Sequence, residues 1–339
     1  MRDVDPGAAA TGRRRHGRLP PDRRTAPGWS TRQTGDRHHR GSRTTVRTGR
    51  QEHTMNDDSP RNGTSLLVVD GLRKTFRLPG GGTLTAADRV SFTLPEGGSV
   101  GIVGESGSGK STVARMLAGL ERPDAGTVTV NGRDRHTARR GGRSRRERLA
   151  RAREIQMVFQ DPYVSLDPRL TAGQCLRTAL RLHGHPAVED RVRSLLDRVG
   201  LGAREADARP HELSGGQRQR LAIARALAVD PRILVLDEAV AALDVSIQAQ
   251  ILQLLAEIRE DTGVALVFVG HDLAVVQHIT DETVVMRRGT VVEQGPTDRV
   301  LRTPRHAYTR LLLSSVPHQD WDPSDVVRAR AGAARAEAV

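Results

Sequence analysis

The chain has almost no cysteine and almost no lysine. Cys175 is the only cysteine among 339 residues, so neither an internal disulfide nor a cluster of thiolate ligands is possible. A single thiol in an apolar, helix-like stretch is typical of a buried structural residue rather than a reactive one. Lysine occurs twice against 51 arginines, a bias that we attribute to coding composition rather than to electrostatic design.

Long apolar runs are also missing. No uninterrupted apolar run reaches the roughly 18 residues that a membrane-spanning helix needs, so we expect the chain not to cross a bilayer by itself. If it works at a membrane, it docks on a partner. The net charge of +13 would suit a nucleic-acid ligand, but +8 of it lies in residues 1–54 and +5 in the remaining 285 residues. We therefore expect no nucleic-acid partner.

Residues 1–54 offer few side chains that could form a core. The segment has only five large apolar side chains, and burying them would contribute about 15 kcal/mol at most. Ordering its backbone would cost at least about 50 kcal/mol, so we expect a disordered, arginine-rich extension. An amphipathic targeting peptide is the alternative, although the segment lacks an apolar stretch.

From Ser65 onward, short β-branched runs alternate with turn signals and helical stretches. Predicted strands cover Leu66–Val69, Val90–Leu94, Val100–Val103, Thr127–Val130, Glu154–Phe159, Ile233–Leu236 and Val264–Val269. Predicted helices cover Gly216–Ala228 and Ser246–Glu260. Strands that alternate with helices argue for an α/β fold, with a mostly parallel sheet and an antiparallel piece near the N-terminus.

One glycine-rich segment matches a phosphate-binding loop. Residues 104–112 read GESGSGKST, and the glycines let backbone N–H groups surround phosphate oxygens at the start of a helix. Lys110 supplies charge to the outer phosphates, and the Ser111 hydroxyl is placed to bind Mg²⁺. A glycine-rich turn between a strand and a helix is the alternative. We predict bound nucleoside triphosphate and Mg²⁺, held by Gly104, Glu105, Ser106, Gly107, Ser108, Gly109, Lys110, Ser111 and Thr112.

Four candidate site residues each follow an apolar strand, namely Gly104, Gln160, Asp237 and His271. Ligands of open α/β sheets bind at the carboxyl ends of strands, so we expect these four residues to lie around one nucleotide. Asp237 suits a Mg²⁺ shell, and Glu238 is positioned to orient or deprotonate an attacking water. A pair of solvated carboxylates at a strand end is the alternative interpretation.

The LSGGQ segment at residues 213–217 predicts a second anion-binding helix start. Ser214 can cap the following helix, and Gly215 and Gly216 leave its first N–H groups bare. An ordinary N-cap with glycines is the alternative. One chain thus carries two candidate phosphate-binding surfaces.

The order GESGSGKST, VFQDP, LSGGQRQR, ILVLDE, AALD and VGHD resembles the ATP-binding subunit of ABC transporters, over roughly residues 65–317. The resemblance implies an α/β P-loop NTPase of the RecA-like type, with a mostly parallel core, an N-terminal antiparallel β subdomain and an inserted α-helical subdomain. It also implies ATP hydrolysis by two subunits that face head to tail. The helix start of one subunit, with Ser214, Gly215, Gly216 and Gln217, then closes over ATP on the loop of the other.

The resemblance also assigns single residues. Phe76 matches the aromatic position that stacks on adenine, with core packing as the alternative. Gln160 matches the glutamine that contacts Mg²⁺ and water and relays closure to the membrane subunits, and Tyr163 begins the implied docking surface. Asp244 matches an aspartate at the dimer interface, and His271 matches the switch histidine that contacts the γ-phosphate; a lone histidine would otherwise be structural.

Two residues depart from the family pattern. Ala239 and Ala241 stand where the family usually has proline and a serine or threonine. Neither change removes a charge or a phosphate donor, so we expect activity to survive. The rate of hydrolysis is the property that these alanines put in question.

Other segments resemble the oligopeptide and dipeptide importer branch, closest to the second of its two ATPase subunits, notably VFQDPYVSLDPRLT, ALDVSIQAQIL and PRHAYTRLLLSSVP. This implies peptide import powered from the cytoplasmic face of the membrane. The implied partners are a sister ATPase in a heterodimer, or a second copy in a homodimer, two transmembrane permease subunits and, indirectly, an extracellular solute-binding protein. Importers of nickel or glutathione share these features. A soluble ABC ATPase and a subunit that binds ATP without hydrolysis are the remaining alternatives.

These patterns divide the chain into segments. We expect an ATPase domain at residues 65–289, with its helical subdomain at about 161–229, an importer-type C-terminal extension at 290–317 and a flexible tail at 318–339. The arginine-dense stretch 133–153 predicts a solvated loop or helix face. A contact with acidic lipid or nucleic acid is its alternative.

Met55, followed by a polar run and then a strand, resembles a natural start more than Met1 does. We hypothesise that residues 1–54 are a mis-assigned upstream extension. N-terminal sequencing of the native protein is expected to begin at Met55, and a sequence that begins at Met1 would refute the hypothesis.

Overall fold

A computed structural model describes residues 65–136 and 144–315 of the chain. The predictions for the extension 1–54, for a start at Met55 and for the tail 318–339 lie outside the described residues, as do the last two residues of the predicted extension 290–317.

The described residues form ten strands and ten α-helices. The strands are β1 (Ser65–Arg77), β2 (Thr83–Pro95), β3 (Ser99–Val103), β4 (Ala125–Val130), β5 (Arg133–Asp134), β6 (Ile155–Val158), β7 (Ile233–Asp237), β8 (Ala265–Gly270), β9 (Glu282–Arg287) and β10 (Thr290–Pro296). The helices are α1 (Lys110–Ala118), α2 (Arg145–Glu154), α3 (Ala172–Leu182), α4 (Val188–Arg198), α5 (Ala203–Asp207), α6 (Gly215–Leu227), α7 (Val245–Thr262), α8 (Leu273–Ile279), α9 (Thr297–Arg302) and α10 (Ala307–Ser314).

The strands form two sheets. One sheet is antiparallel with the order β2-β1-β4-β5, and the other has the order β10-β9-β3-β8-β7-β6. In the larger sheet, five neighbouring strands run parallel and β10 is antiparallel to β9. The predicted α/β class, with an antiparallel piece near the N-terminus, is confirmed.

The side chains of the parallel strands alternate between two apolar clusters. On β7, Ile233 and Val235 belong to a cluster with α1 and the antiparallel sheet, whereas Leu234 and Leu236 belong to a cluster with α3, α4 and α6 to α10. All four are fully buried, which explains why the strand reads as a continuous apolar run. Helix α1 therefore lies between the two sheets, and its first residues carry the glycine-rich loop into this layer.

Between β6 and β7 the chain is helical, from a short 3-10 turn at Pro162–Val164 to α6. Cys175 lies on α3 in this region and is buried, and burial raises the pKa of its thiol, as expected of a structural cysteine. The prediction of a strand over Glu154–Phe159 was too long, because Glu154 ends α2 and the strand covers only Ile155–Val158.

The arginine-dense stretch forms a solvated helix in its described part. Helix α2 buries none of its side chains, as expected of a solvated face. It begins with a capping box in which Ser144 Oγ accepts a hydrogen bond from the Glu147 N–H. Arg135 differs from that expectation, because its guanidinium is buried and donates to the Glu154 carboxylate at 2.8 Å.

Candidate functional site

The carboxyl ends of four neighbouring strands bring predicted site residues to one edge of the parallel sheet. Strands β3, β8, β7 and β6 are adjacent and parallel, and Val103 pairs with Gly270 while Asp237 pairs with Val269. The residues that directly follow these strands, or follow them by two positions, are Gly104, His271, Glu238 and Gln160.

The glycine-rich loop lies against backbone carbonyl groups on both sheets. A Cβ atom added at Gly104 would lie 2.2 Å from the carbonyl oxygen of Met286, and one added at Gly109 would lie 1.9 Å from that of Ala86. The φ angle of Gly109 is also positive, at 100°. Because a side chain fits at neither position, glycine is required by the close approach of the backbone.

The Lys110 side chain is buried at the base of this loop. Its ammonium donates hydrogen bonds to the carbonyl oxygens of Gly104 and Glu105, both at 2.8 Å. Burial lowers the pKa of Lys110, and the negative charges of Glu238, Asp237 and Glu105 partly offset this effect. The loop therefore holds a buried cation that interacts with two carboxylates at the end of β7, Asp237 and Glu238.

Ser111 and Asp237 face each other across the same site. The Ser111 hydroxyl donates to Asp237 Oδ1 at 2.9 Å. Burial raises the pKa of the Asp237 carboxyl, and the hydrogen bond from Ser111 together with the positive charges of Arg115 and Lys110 offsets part of that rise. Two oxygen atoms suited to a hard cation thus lie within hydrogen-bond distance.

Glu238 has an unusual backbone conformation directly after its strand. Its φ angle is 49°, in the left-handed region that is costly for a residue with a side chain. Its N–H donates to the Val269 carbonyl oxygen at 2.8 Å, and His271 Nδ1 lies 3.8 Å from its Oε1. The carboxylate is mostly covered, whereas the imidazole is 60% exposed. Glu238 and His271 line one small cavity together with Gln248 and Asp272.

Gln160 is exposed at the end of β6, next to an apolar surface patch. Tyr163 and Val164, in the short 3-10 turn that follows, are large side chains exposed by 43% and 69%. The Arg218 guanidinium lies 4.9 Å from the centre of the Tyr163 ring. The turn after Gln160 is therefore in contact with helix α6 through Tyr163 and Arg218.

Phe76 lies on the antiparallel sheet, where it pairs with Leu84. Leu84 is two residues from Ala86, whose carbonyl oxygen touches Gly109. Phe76 is half-buried, and the Lys74 ammonium lies 5.3 Å from its ring centre. Phe76 therefore pairs with a residue of β2 that lies two positions before the residue in contact with the loop.

The LSGGQ segment forms a capped helix start, as predicted. Ser214 Oγ accepts from the Gln217 N–H at 3.2 Å, and Gln217 Oε1 accepts from the Ser214 N–H at 2.9 Å, which makes a capping box. A Cβ atom at Gly216 would lie 2.7 Å from the side chain of Ile247 on α7. Within residues 65–136 and 144–315, no hydrogen bond or ion pair joins Ser214–Gln217 to the loop at 104–112.

Asp244 lies at the N-terminus of α7, but its side chain accepts no capping hydrogen bond. Both Asp244 and the next residue, Val245, are exposed, the latter by 83%. The carboxylate is therefore accessible to an approaching partner.

Two contacts on the loop were not predicted. The Gly289 N–H, in the turn between β9 and β10, donates to the Ser108 carbonyl oxygen at 3.0 Å. The Tyr308 hydroxyl, on α10, accepts from the Glu105 N–H at 3.1 Å. Both partners lie far along the chain from the loop, and no local sequence pattern signals such contacts.

Comparisons with known proteins agree with this arrangement. Residues 87–241 match the ABC transporter family, and residues 292–337 match the C-terminal region of oligopeptide/dipeptide transporters. The chain is 43% identical over 261 residues to the oligopeptide transport ATP-binding protein OppF of Bacillus subtilis, with 76% of this chain and 84% of that protein covered. It is 42% identical over 278 residues to the glutathione import ATP-binding protein GsiA of Salmonella typhimurium, covering 79% of this chain and 44% of that protein.

A solved structure extends the likeness to the fold. A dimeric ATP-binding cassette in a post-hydrolysis state with ADP and Pi superposes with a TM-score of 0.61 at 30% identity. The alignment covers 68% of this chain and 98% of the cassette.

The chain belongs to the ATP-binding proteins of ABC transporters, and it carries the C-terminal region of the oligopeptide/dipeptide branch. It is therefore a nucleotide-binding ATPase whose family works with membrane permease subunits. Among the residues that the structure describes, no helix is both long and apolar enough to cross a bilayer.

The raised pKa of Asp237 predicts a cost in stability. A carboxyl whose pKa is higher in the folded chain than in the unfolded chain destabilises the fold once it is ionised. The cost is absent below the ordinary value of about 3.9 and present above the raised pKa. Asp237→Asn should therefore raise the melting temperature of the nucleotide-free protein at pH 7 by about 1 to 3 °C.

The matched control is Asp70→Asn, which removes an exposed carboxylate on β1 and should leave the melting temperature unchanged. Differential scanning calorimetry at pH 7 measures both variants. An Asp237→Asn protein that melts below the wild type would contradict the electrostatic assignment.

Proposed function

We propose that this chain is the ATP-hydrolysing subunit of an importer of oligopeptides or dipeptides, acting at the cytoplasmic face of the membrane. The observation that carries the proposal is one chain with both parts: the ATPase domain and, at residues 292–337, the C-terminal region of oligopeptide/dipeptide transporters. The relative from Bacillus subtilis, an oligopeptide transport protein, is matched over most of its length.

We propose that ATP is clamped between two such subunits. The loop at 104–112 and the helix start at Ser214–Gln217 are both suited to phosphate, yet no hydrogen bond joins them within the described part of the chain. Two chains that face head to tail would bring each helix start onto the other chain's loop. The exposed Asp244 and Val245 would lie at this seam. The second chain is a sister ATPase or another copy.

The residues of the loop fit a triphosphate. Lys110 is a buried cation, and the N–H groups at the start of α1 favour negative charge. The Ser108 hydroxyl is buried and has no hydrogen-bond partner among the described residues, and a phosphate oxygen would supply one. Phe76, half-exposed on the adjoining strand, would stack on adenine.

Mg²⁺ fits the oxygen atoms that the site brings together. Ser111 Oγ and Asp237 Oδ1 are 2.9 Å apart, and Gln160 follows the neighbouring strand β6. Mg²⁺ usually takes one or two protein ligands and completes its shell with phosphate and water oxygens. When bound, the ion would neutralise charge on the outer phosphates.

Glu238 and His271 are proposed to act on the attacking water and on the γ-phosphate. Glu238, with its left-handed backbone, and His271 line one cavity, with 3.8 Å between the two groups. Glu238 would hold and deprotonate the water, and His271 would contact the γ-phosphate. Loss of the γ-phosphate would remove the contact between the two subunits and let them part.

The exposed patch at Tyr163 and Val164 is proposed as part of the surface that docks on the permease subunits. It begins three residues after Gln160, so a change at the nucleotide would reach the patch through a few residues of backbone. A solute-binding protein outside the membrane would deliver the cargo to the permease.

Glutathione import is the second candidate function. It is favoured by the 42% identity to a glutathione import ATP-binding protein over 79% of this chain. That relative is more than twice the length of the matched segment, so the likeness covers only part of it.

Cargo is tested with the full transporter in proteoliposomes, with ATP on the side of the ATPase subunits. We expect ATP-dependent uptake of a labelled tetrapeptide that unlabelled tetrapeptide inhibits and excess glutathione does not. Uptake of glutathione alone would replace the peptide proposal by the second candidate. ATP hydrolysis without uptake of either would contradict both.

Replacing Glu238 by glutamine separates binding from hydrolysis. Glu238→Gln should keep the affinity for ATP and lower turnover by a factor of about 10² or more, because the amide cannot accept the proton of the attacking water. ATP affinity and steady-state hydrolysis are measured on the purified transporter. Glu260→Gln, an exposed glutamate on α7, is the control that should hydrolyse ATP at the wild-type rate. A Glu238→Gln protein as fast as wild type would remove Glu238 from this role.

A further inference from the structure

A tyrosine of the C-terminal segment, here residues 290–315, reaches the start of the glycine-rich loop at residues 104–112. The Tyr308 hydroxyl accepts a hydrogen bond from the Glu105 backbone N–H at 3.1 Å, although the two residues are 203 positions apart. Tyr308 is 1% exposed, so its contact lies inside the molecule rather than at its surface. Tyr308 also lies within the match to the oligopeptide/dipeptide transporter C-terminal region.

Tyr308 and the glycine-rich loop both contact the end of strand β9. Met286 and Arg287 are the last two residues of β9. The Met286 carbonyl oxygen lies 2.2 Å from the point where a Cβ of Gly104 would be, and the Arg287 guanidinium lies 4.8 Å from the centre of the Tyr308 ring. The interaction of a cation with an aromatic face is favourable. Strand β9 therefore contacts both the loop and Tyr308, the residue that hydrogen-bonds to the loop.

Local hydrogen bonds fix the position of Tyr308. The Tyr308 N–H donates to His306 Nδ1 at 3.1 Å, which caps the start of α10. The Glu293 carboxylate, on β10, accepts from the N–H groups of Arg305 at 2.8 Å and His306 at 3.1 Å. The turn before α10 is thus anchored to the edge strand of the parallel sheet, and Tyr308 is preorganised.

Glu105 connects Tyr308 to Lys110 in the proposed nucleotide site. The N–H of Glu105 binds Tyr308, and the carbonyl oxygen of the same residue binds the Lys110 ammonium at 2.8 Å. Burial raises the pKa of the Tyr308 phenol. Without the phenol oxygen, the Glu105 N–H loses its partner, and the peptide group between Gly104 and Glu105 keeps only the hydrogen bond of its carbonyl oxygen to Lys110 among those described.

We propose that Tyr308 is a positioning residue through which the C-terminal segment sets the conformation of the phosphate loop and hence the affinity for ATP. The proposal rests on the role in phosphate binding that we propose for Lys110. Tyr308 touches neither Glu238 nor His271 by any hydrogen bond of the described residues. Its effect is therefore on nucleotide affinity rather than on the chemical step.

The test is Tyr308→Phe, which removes the hydroxyl and keeps the ring that packs under Arg287. The full chain is titrated with a fluorescent ATP analogue and Mg²⁺, and hydrolysis is measured on the full transporter. We expect the dissociation constant and KM for ATP to rise about 3- to 10-fold, the range for loss of one hydrogen bond. The turnover number should stay within about twofold, since the catalytic groups are untouched.

Hydrogen exchange distinguishes a local effect at Glu105 from a general loss of stability. In Tyr308→Phe, the peptide that contains the Glu105 amide should exchange faster than in wild type, while peptides from α7 should exchange at the wild-type rate. Thr303→Val is the matched control, because it removes an exposed hydroxyl of the same segment that bonds only within its own helix end.

Two outcomes separate this proposal from the proposed function. A Tyr308→Phe dissociation constant within about twofold of wild type overturns the positioning role, whatever the exchange rates show. Lys110→Ala is measured beside it. If Lys110→Ala also binds ATP with wild-type affinity, the proposed phosphate site itself is wrong; if Lys110→Ala loses binding, only the role of Tyr308 fails.

Discussion

The glycine-rich loop at residues 104–112 is held between two backbone carbonyl groups that leave no room for a side chain. The carbonyl oxygen of Met286, on the parallel sheet, lies against Gly104, and that of Ala86, on the antiparallel sheet, lies against Gly109. The loop therefore joins the two sheets at the point where α1 enters the layer between them. Because these contacts are made by backbone, they fix the loop's shape independently of side-chain rotamers, and the positions of Lys110 and Ser111 follow from it.

The chemistry of the site is concentrated where the parallel strands end, and it opposes stability there. Asp237 is buried with a raised pKa, Lys110 is buried with a lowered pKa, and Glu238 has a left-handed backbone. Each feature disfavours the folded chain, and such features are typical of functional sites. The large apolar clusters on both faces of the sheet stabilise the arrangement.

Much of this could be predicted from the sequence, because the signals are local. The glycine-rich loop, the strand that ends at Asp237 and the Ser214 cap all follow from short patterns, and the structure has each of them. The β9–β10 hairpin was not predicted, although its turn at Arg288 and Gly289, both with positive φ, is a recognisable type. The contact from Tyr308 to Glu105 could not be predicted, since it depends on where the tertiary fold places α10 relative to a loop 203 residues away in the chain.

In the proposed assembly, ATP is shared between two chains, with one chain's glycine-rich loop opposite the other chain's Ser214 helix start. The most direct measurement is a structure of the full transporter with the Glu238→Gln substitution and bound ATP. We expect the γ-phosphate to contact Lys110 of one subunit and an LSGGQ-type helix start of the facing subunit. A triphosphate enclosed by a single chain, with its own Ser214 or no helix start against it, would show that ATP is not shared in this way.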